Sequence, residues 1–195
     1  MGKRICVFCA SSNRIAPMYV EAAAHFARLA VMEGHHLVCG GTSKGLMSVL
    51  IGATVEAGGV IYGVVPKFMD DLGWTDKRLT QVTVVETMRQ RKELLMKDVD
   101  AIVALPGAIG TLEELTEVLS LKRLGLFQKP VVIFNQNGFY NFLLRFFEEM
   151  RSEGMMTGEV WSEVDRVEDI LPAIEVNNLS SLDLLHYHDG YQNGL

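Results

Sequence analysis

Cysteine and basic residues are both scarce in this sequence, and each shortage excludes a class of protein. Three cysteines in 195 residues, Cys6, Cys9 and Cys39, cannot form the disulfide framework that holds small secreted domains together. Lysine and arginine number 18 against 24 acidic residues, which gives a formal net charge of -6. A protein that binds nucleic acid non-specifically needs a basic face that releases counterions, so we expect no nucleic-acid partner.

Long apolar runs are missing as well. None approaches the roughly 18 residues of a membrane span. The first four residues lead directly into a strand-like run, without the apolar core and cleavage site of a secretory signal. Cys6 stands where a myristoylation pattern requires serine or threonine. The sequence therefore predicts a cytoplasmic protein with no membrane partner.

Two short patterns have the residue types of a metal site. Cys6 and Cys9 form a C-x-x-C pair, but an odd offset along a strand directs two side chains to opposite faces, which favours buried reduced thiols. His186 and His188 lie near the C-terminus without a cluster of carboxylates or cysteines beside them. We therefore predict no metal site and no cofactor.

Strand-like and helix-like segments alternate along the chain. Strands are predicted at residues 4–9, 36–39, 60–65, 80–86, 101–105 and 130–135. Helices are predicted at residues 17–33, 45–56, 88–98, 112–124 and 140–152. The alternation predicts an α/β fold, a single Rossmann-like, doubly wound parallel sheet with helices on both faces. Residues 1–176 form one domain in this interpretation, and the polar residues 177–195 form a C-terminal tail that we expect to be mobile.

The most informative stretch is the glycine-rich turn at residues 105–114. An apolar run stops at Pro106 and Gly107, and a helix with an early carboxylate follows. We predict that Thr111 caps this helix, so that free N–H groups and the positive dipole end point at an anion such as a nucleotide or sugar phosphate. Two further turns poor in bulky side chains, residues 10–13 and 40–45, should meet it at the carboxyl edge of the sheet.

The turn that contains Gly40 and Gly41 differs from two familiar phosphate loops. It follows the second strand, whereas the dinucleotide fingerprint follows the first. Lys44 precedes Gly45, whereas a Walker loop places the lysine after the glycine. A purely structural role, a tight turn with close helix packing, stays open.

Charged residues at two predicted helix starts also have a structural alternative. Thr111 and Glu114 match a capping box, in which the glutamate only returns a hydrogen bond, but a neighbouring anion site favours catalysis. Arg89, Arg91 and Lys92 fall in the first turns of another helix, where cations oppose the dipole unless an anion offsets them. They are either solvated surface charge or ligands of a phosphate or carboxylate. The adjacent Met88 is a candidate for lining a base pocket.

Together these residues resemble the LONELY GUY (LOG) family of nucleoside 5'-monophosphate phosphoribohydrolases, whose members are often mislabelled as lysine decarboxylases. The family motif P-G-G-x-G-T-x-x-E corresponds to residues 106–114, which read P-G-A-I-G-T-L-E-E. Further matches include Gly40-Gly41, Arg91-Lys92 and Gly138-Phe139-Tyr140.

The resemblance implies a homodimer that hydrolyses the bond between base and ribose 5-phosphate in a cytokinin riboside 5'-monophosphate or in AMP. Glu114 and Arg91 would be the catalytic pair. A carboxylate near C1' stabilises the positive charge that develops on the ribose ring, and a cation anchors phosphate or hydroxyl groups. The residues near phosphate or ribose would be Ser12, Gly41, Lys92, Gly107, Gly110 and Thr111.

Several departures from the family pattern fall in this candidate site. Ala10, Thr42 and Ala108 replace usual glycines, and Arg89 replaces a usual histidine. If Ala108 needed left-handed backbone, its methyl group would cost about 1–2 kcal/mol. These departures leave a second hypothesis open, a nucleotide-binding module that has lost catalysis. A pyridoxal-phosphate lysine decarboxylase is less favoured, because no lysine lies in an evident context for that cofactor.

Overall fold

Seven parallel strands form one sheet in the computed structural model of the chain, which describes residues 2–176. The strand order is β4-β3-β2-β1-β5-β6-β7, and every neighbouring pair is parallel. The predicted doubly wound sheet is therefore confirmed. The strands are β1 (Arg4–Phe8), β2 (His36–Cys39), β3 (Ile61–Pro66), β4 (Gln81–Val85), β5 (Ala101–Ala104), β6 (Val131–Phe134) and β7 (Ser162–Val164).

Helices cover both faces of this sheet, as the alternation predicts. They are α1 (Pro17–Met32), α2 (Gly45–Glu56), α3 (Lys67–Asp71), α4 (Met88–Met96), α5 (Ile109–Arg123), α6 (Asn141–Ser152) and α7 (Ile170–Glu175). One buried cluster lies between the sheet and α1, α2 and α7, and a second lies between the sheet and α4, α5 and α6. No helix within residues 2–176 is long and apolar enough to cross a membrane.

The cysteines divide between the two layers of the core. Cys6 belongs to the cluster beneath α5, whereas Cys9 and Cys39 belong to the cluster beneath α1 and α2. All three are buried free thiols, so the prediction for the C-x-x-C pair is confirmed. Within residues 2–176, no group of three or more histidine, cysteine and acidic side chains is placed to hold a metal. The predicted tail at residues 177–195, with His186 and His188, lies outside the described residues.

Three short elements are absent from the prediction. Helix α3 has five residues, and strand β7 has three residues, of which two are polar. Helix α7 has six residues and contains Pro172. Elements this short carry too few residues for a periodic pattern, so tertiary packing decides them.

The order of the strands positions the candidate site. Strand β1 lies between β2 and β5, so the chain winds outward from β1 in one direction and from β5 in the other. Ligands in such sheets bind beyond the carboxyl ends of the strands at this switch point. The turns after β1, β2 and β5 are the three that the sequence analysis singled out.

Candidate active site

A cavity of about 450 Å³ opens at this switch point. Its volume lies within the range of about 300–1,000 Å³ usual for small-molecule sites. Each of the three predicted turns contributes to its wall, through Ser11, Gly40 and Gly110. The expectation that the turns meet is therefore confirmed. The other lining residues are Val7, Cys9, Thr42, Lys44, Met47, Met69, Trp74, Met88, Arg91, Ala108, Thr111 and Glu114.

Helix α5 presents an open N-terminus to the cavity. It begins at Ile109, and its N-cap is Ala108, which has no side chain capable of capping. Leu112 is the first residue of the helix whose N–H binds a backbone carbonyl, that of Ala108. Within residues 2–176, the N–H groups of Ile109, Gly110 and Thr111 therefore stay unpaired, and together with the helix dipole they are suited to binding an anion.

The prediction that Thr111 caps this helix is wrong. The helix starts earlier, so Thr111 is its third residue and its buried side chain packs over Gly107. A Cβ on Gly107 would lie 2.1 Å from Oγ1 of Thr111, so no other residue fits there without a shift. The turn at Pro106 and Gly107 follows β5. The helix begins only two residues after Gly107, with Ala108 as its extended N-cap and Ile109 as its first residue.

Glu114 likewise does not belong to a capping box. It is the sixth residue of α5, and its carboxylate forms no hydrogen bond or ion pair with the rest of residues 2–176. Burial raises its pKa from 4.5 to about 7; Arg91 and Lys92 oppose that rise, and Glu113 and Glu117 add to it. A partly buried carboxyl that titrates near neutral pH and faces a cavity is typical of a functional site.

Arg91 is buried and lines the same cavity as Glu114. Its Nε donates to the carbonyl of Val64 and its Nη2 to the carbonyl of Gly40, each over 3.1 Å. Helix α4 starts with a complete capping box between Thr87 and Gln90, which fixes the turn that carries Arg91. Because carbonyls and not carboxylates hold the guanidinium, its full charge remains available to an anion in the cavity.

The other two cations of this turn do not reach the cavity. Arg89 is 88% exposed and pairs with Glu93, and Lys92 binds Glu113 and Glu117 on α5. Arg89 and Lys92 are two of the three cations that were predicted to be either solvated or bound to an anion. In the structure, carboxylates of the protein itself pair with both. Arg89, which stands where histidine is usual in the resemblance described above, is not among the residues that line the cavity.

Three turn residues of the predicted site lie outside the cavity wall. Gly41 has φ +73° and packs against Val65 and Gly63, so it shapes the turn while its neighbour Gly40 faces the cavity. Ser12 is exposed, and its Oγ accepts a hydrogen bond from the Arg14 amide, while the adjacent Ser11 lines the cavity. Gly107 also stands behind the wall, beneath Thr111.

An apolar wall completes the site, and Met88 is the residue of this wall that was predicted from the sequence. Met69 and Trp74, which come from the segment between β3 and β4, also line the cavity. Nζ of Lys44 lies 3.3 Å from the centroid of the Trp74 ring, and the Ser43 amide binds the Trp74 carbonyl. In the sequence, Trp74 directly follows Gly73 within a polar segment, and this was the signal that could have identified Trp74 as a site residue. Sulfur and indole groups of this kind provide a flat, polarizable surface for an aromatic base.

Comparisons with known proteins place this site in a family. The profile of a family described as "Possible lysine decarboxylase" matches residues 47–174. Cytokinin riboside 5'-monophosphate phosphoribohydrolase LOG5 of Arabidopsis thaliana is 40% identical over 154 residues, which are 79% of this chain and 68% of that protein. Probable cytokinin riboside 5'-monophosphate phosphoribohydrolase LOGL3 of Oryza sativa subsp. japonica is 35% identical over 196 residues, covering 99% and 90%. The chain belongs to the LOG family.

Solved structures with much lower sequence identity to this chain share its fold. The molybdenum cofactor carrier protein of Chlamydomonas reinhardtii superposes with a TM-score of 0.70 at 19% identity, covering 95% of this chain and 99% of that one. A molybdenum cofactor binding protein of Rippkaea orientalis gives a TM-score of 0.70 at 18% identity, covering 90% and 96%. Identities this low support a common architecture, and the chemistry must be argued from the site itself.

Proposed function

We propose that this protein hydrolyses the N-glycosidic bond of a nucleoside 5'-monophosphate to give the free base and ribose 5-phosphate. The observation that carries the proposal is Glu114, an unpaired carboxyl with a pKa of about 7 that faces the same cavity as Arg91 and the open end of α5. The LOG relatives, whose names specify cytokinin riboside 5'-monophosphates, support this reaction and make such nucleotides the first substrates to test.

The substrate is oriented by charge and by polarity. We expect its phosphate at the N–H groups of Gly110 and Thr111, with Arg91 neutralising phosphate or ribose oxygens. The base then lies along the apolar wall that includes Met88 and Trp74. Gly41, Gly107 and Ser12 would support this phosphate region from behind the wall of the cavity.

The reaction consumes one water molecule. The bond from C1' to the base nitrogen breaks, and its electron pair leaves with the base. A water oxygen bonds to C1', one O–H bond of that water breaks, and in the overall reaction its proton ends on the base. Positive charge develops on the ribose ring as the base departs, and an ionised Glu114 stabilises that charge and orients the water. Because the cavity is lined partly by apolar groups, this interaction is stronger than it would be in bulk water.

A lysine decarboxylase fits the site less well. Such an enzyme holds pyridoxal phosphate on a lysine through a Schiff base. Among the described residues, Lys44 is the one lysine that lines the cavity, and its ammonium group is placed over the face of Trp74. No step is therefore assigned to that cofactor.

The decisive experiment compares wild type with Glu114→Gln. Purified protein is incubated with AMP and with isopentenyladenosine monophosphate, and free base is followed by chromatography. We expect release by wild type, and a loss of at least about a hundredfold in Glu114→Gln, since glutamine keeps the shape but not the charge. Nucleotide binding by calorimetry without release of base would instead indicate a binding module, and full turnover in Glu114→Gln would remove the carboxylate from the mechanism.

We further propose that the active form is a cytoplasmic homodimer, as membership of the LOG family suggests. Apolar side chains such as Leu126 and Phe142, which are 71% and 82% exposed, support association of copies. Light scattering at micromolar concentration tests the dimer, and cell fractionation tests the location.

A further inference from the structure

Glu114 lies between two spaces. On one side it lines the large cavity. It also borders a second, narrower space, which has no room for a water molecule. The remaining walls of this second space are Phe8, Met96, Lys92 and Glu117. Lys92 therefore faces the catalytic carboxyl from behind and does not line the cavity in which a substrate would bind.

Lys92 joins α4 to two carboxylates of α5. Its Nζ lies 2.6 Å from Oε2 of Glu117 and also binds Oε1 of Glu113. Its own side chain is only 18% exposed, compared with 52% for Glu113 and 34% for Glu117. Its three N–H groups are largely committed to these partners, so a phosphate would have to displace them.

The titratable groups around Glu114 come from four elements. Glu113 and Glu117, on its own helix, favour its protonated form, while Arg91 and Lys92, on α4, favour the carboxylate. Cys6 and Cys9, at β1, and Cys39, at the end of β2, also face it. Burial raises the pKa of each thiol, so these thiols stay neutral. The balance at Glu114 therefore depends on two cations against two carboxylates.

We propose that Lys92 is a positioning residue of the active site, which pairs with Glu113 and Glu117 behind Glu114, shifts the balance at the Glu114 carboxyl toward its ionised form, and does not bind the substrate phosphate. This inference rests on the proposed function of Glu114. It replaces the expectation that Lys92 is a phosphate ligand. An opposite charge nearby favours the ionised form of a carboxyl, and Lys92 acts on Glu114 in this direction.

The test is the pH dependence of base release in Lys92→Met. Loss of the cation leaves two unpaired carboxylates beside Glu114, so the acidic limb of kcat moves to higher pH. We expect kcat at pH 6 to fall roughly threefold to tenfold, with convergence to wild type near pH 9 and KM within about twofold of wild type. Arg89→Met is the matched control, because it removes an exposed cation from the same helix.

Two further variants separate electrostatics from folding. Glu117→Gln alone removes one of the opposing carboxylates and should move the acidic limb to lower pH. In the Lys92→Met background, Glu117→Gln should return the limb toward wild type. A phosphate ligand would behave differently, with KM at least tenfold higher in Lys92→Met, no movement of the pH profile and no rescue, and that result would overturn the inference.

A measurement without turnover makes the result independent of the proposed function. The Glu114 carboxyl carbon is followed by ¹³C NMR between pH 4 and pH 9, with Glu114→Gln used to assign its signal. Lys92→Met should shift its titration midpoint upward, and an unchanged midpoint would overturn the inference. If wild type releases no base, the proposed hydrolysis fails, while this titration still decides the role of Lys92.

Discussion

Nη2 of Arg91 rests on the carbonyl oxygen of Gly40, and the contact leaves no room for a side chain on that glycine. The N···O distance is 3.1 Å, and a Cβ on Gly40 would lie 2.0 Å from the same nitrogen. The glycine-rich turn after β2 therefore binds the buried guanidinium of Arg91.

Replacement of Gly40 by alanine should therefore impair the enzyme through Arg91. The new methyl group displaces the guanidinium from the cavity wall, and we expect kcat/KM for nucleotide hydrolysis to fall at least about tenfold, since small misplacements of a catalytic group are costly. The measurement is a double-mutant cycle. Gly40→Ala should cost little more in the Arg91→Ala background, and additive losses would show that Gly40 acts independently of Arg91.

This contact illustrates where prediction from sequence ends. That the turns after β1, β2 and β5 meet could be predicted, because parallel strands bring their carboxyl ends to one edge. That Arg91 binds Val64 and Gly40 could not, because the contact depends on how α4 packs over β2 and β3. Nothing local to residues 88–96 encodes that packing.

Lys92 and Thr111 show the same limit in different ways. The partners of Lys92 lie on another helix, Glu113 being 21 positions away, so helical spacing gave no signal for them. Thr111 gave a false signal, because a capping box is recognised by spacing alone, whereas Ala108 and Ile109 had already begun the helix. Local patterns predicted the elements well and predicted contacts between elements poorly.

Ala108→Gly should leave nucleotide binding nearly unchanged. A left-handed alanine at this position would be strained, but Ala108 has φ -97° and ψ -158°, which is extended backbone. No strain is present for glycine to relieve, so restoring the residue usual in the family has no conformational benefit. We expect dissociation constants for AMP within about twofold by calorimetry, using the 1.4 kcal/mol per decade relation. Binding tighter by tenfold would mean that the methyl group obstructs the phosphate directly.

Glu114→Gln should stabilise the folded protein above neutral pH although it removes activity. The pKa of Glu114 is about 7 in the folded protein against 4.5 as a reference, so the folded state favours the protonated form. Stability from this group is complete below about pH 4.5 and is lost as the pH rises through about 7. The loss corresponds to about 3 kcal/mol at pH 8.5, and glutamine avoids it because it carries no charge.

Urea unfolding at pH 4.5 and at pH 8.5 tests this expectation. The variant should be more stable than wild type at the higher pH and nearly equal to it at the lower pH. Glu153→Gln, the same chemical change at an exposed position, is the control for the substitution itself. Equal unfolding free energies of wild type and Glu114→Gln at both pH values would contradict the burial of a charged carboxyl.

Tyr140 holds the turn between β5 and α5 in place, although Tyr140 itself lies outside that turn. Its buried hydroxyl donates to the Leu105 carbonyl over 2.7 Å, and its amide binds Oδ1 of Asn135. Asn135 in turn donates to Glu163 on β7, so a chain of hydrogen bonds runs from the edge of the sheet to the end of β5. The short strand β7 thereby contributes to the placement of the turn between β5 and α5.

Tyr140→Phe keeps the ring but leaves the Leu105 carbonyl without this donor, which should cost about 1–3 kcal/mol of unfolding free energy. Because the turn then loses its fixed position, we expect nucleotide binding to weaken roughly threefold to tenfold, a change of about 1 kcal/mol, while the kcat limb set by Glu114 keeps its midpoint. Tyr19→Phe is the matched control, since its ring contacts Phe139 at its edge and its hydroxyl makes no hydrogen bond within residues 2–176. A Tyr140→Phe protein that is less stable but binds AMP as wild type does would show that the ladder bonds of β5 hold the turn without Tyr140.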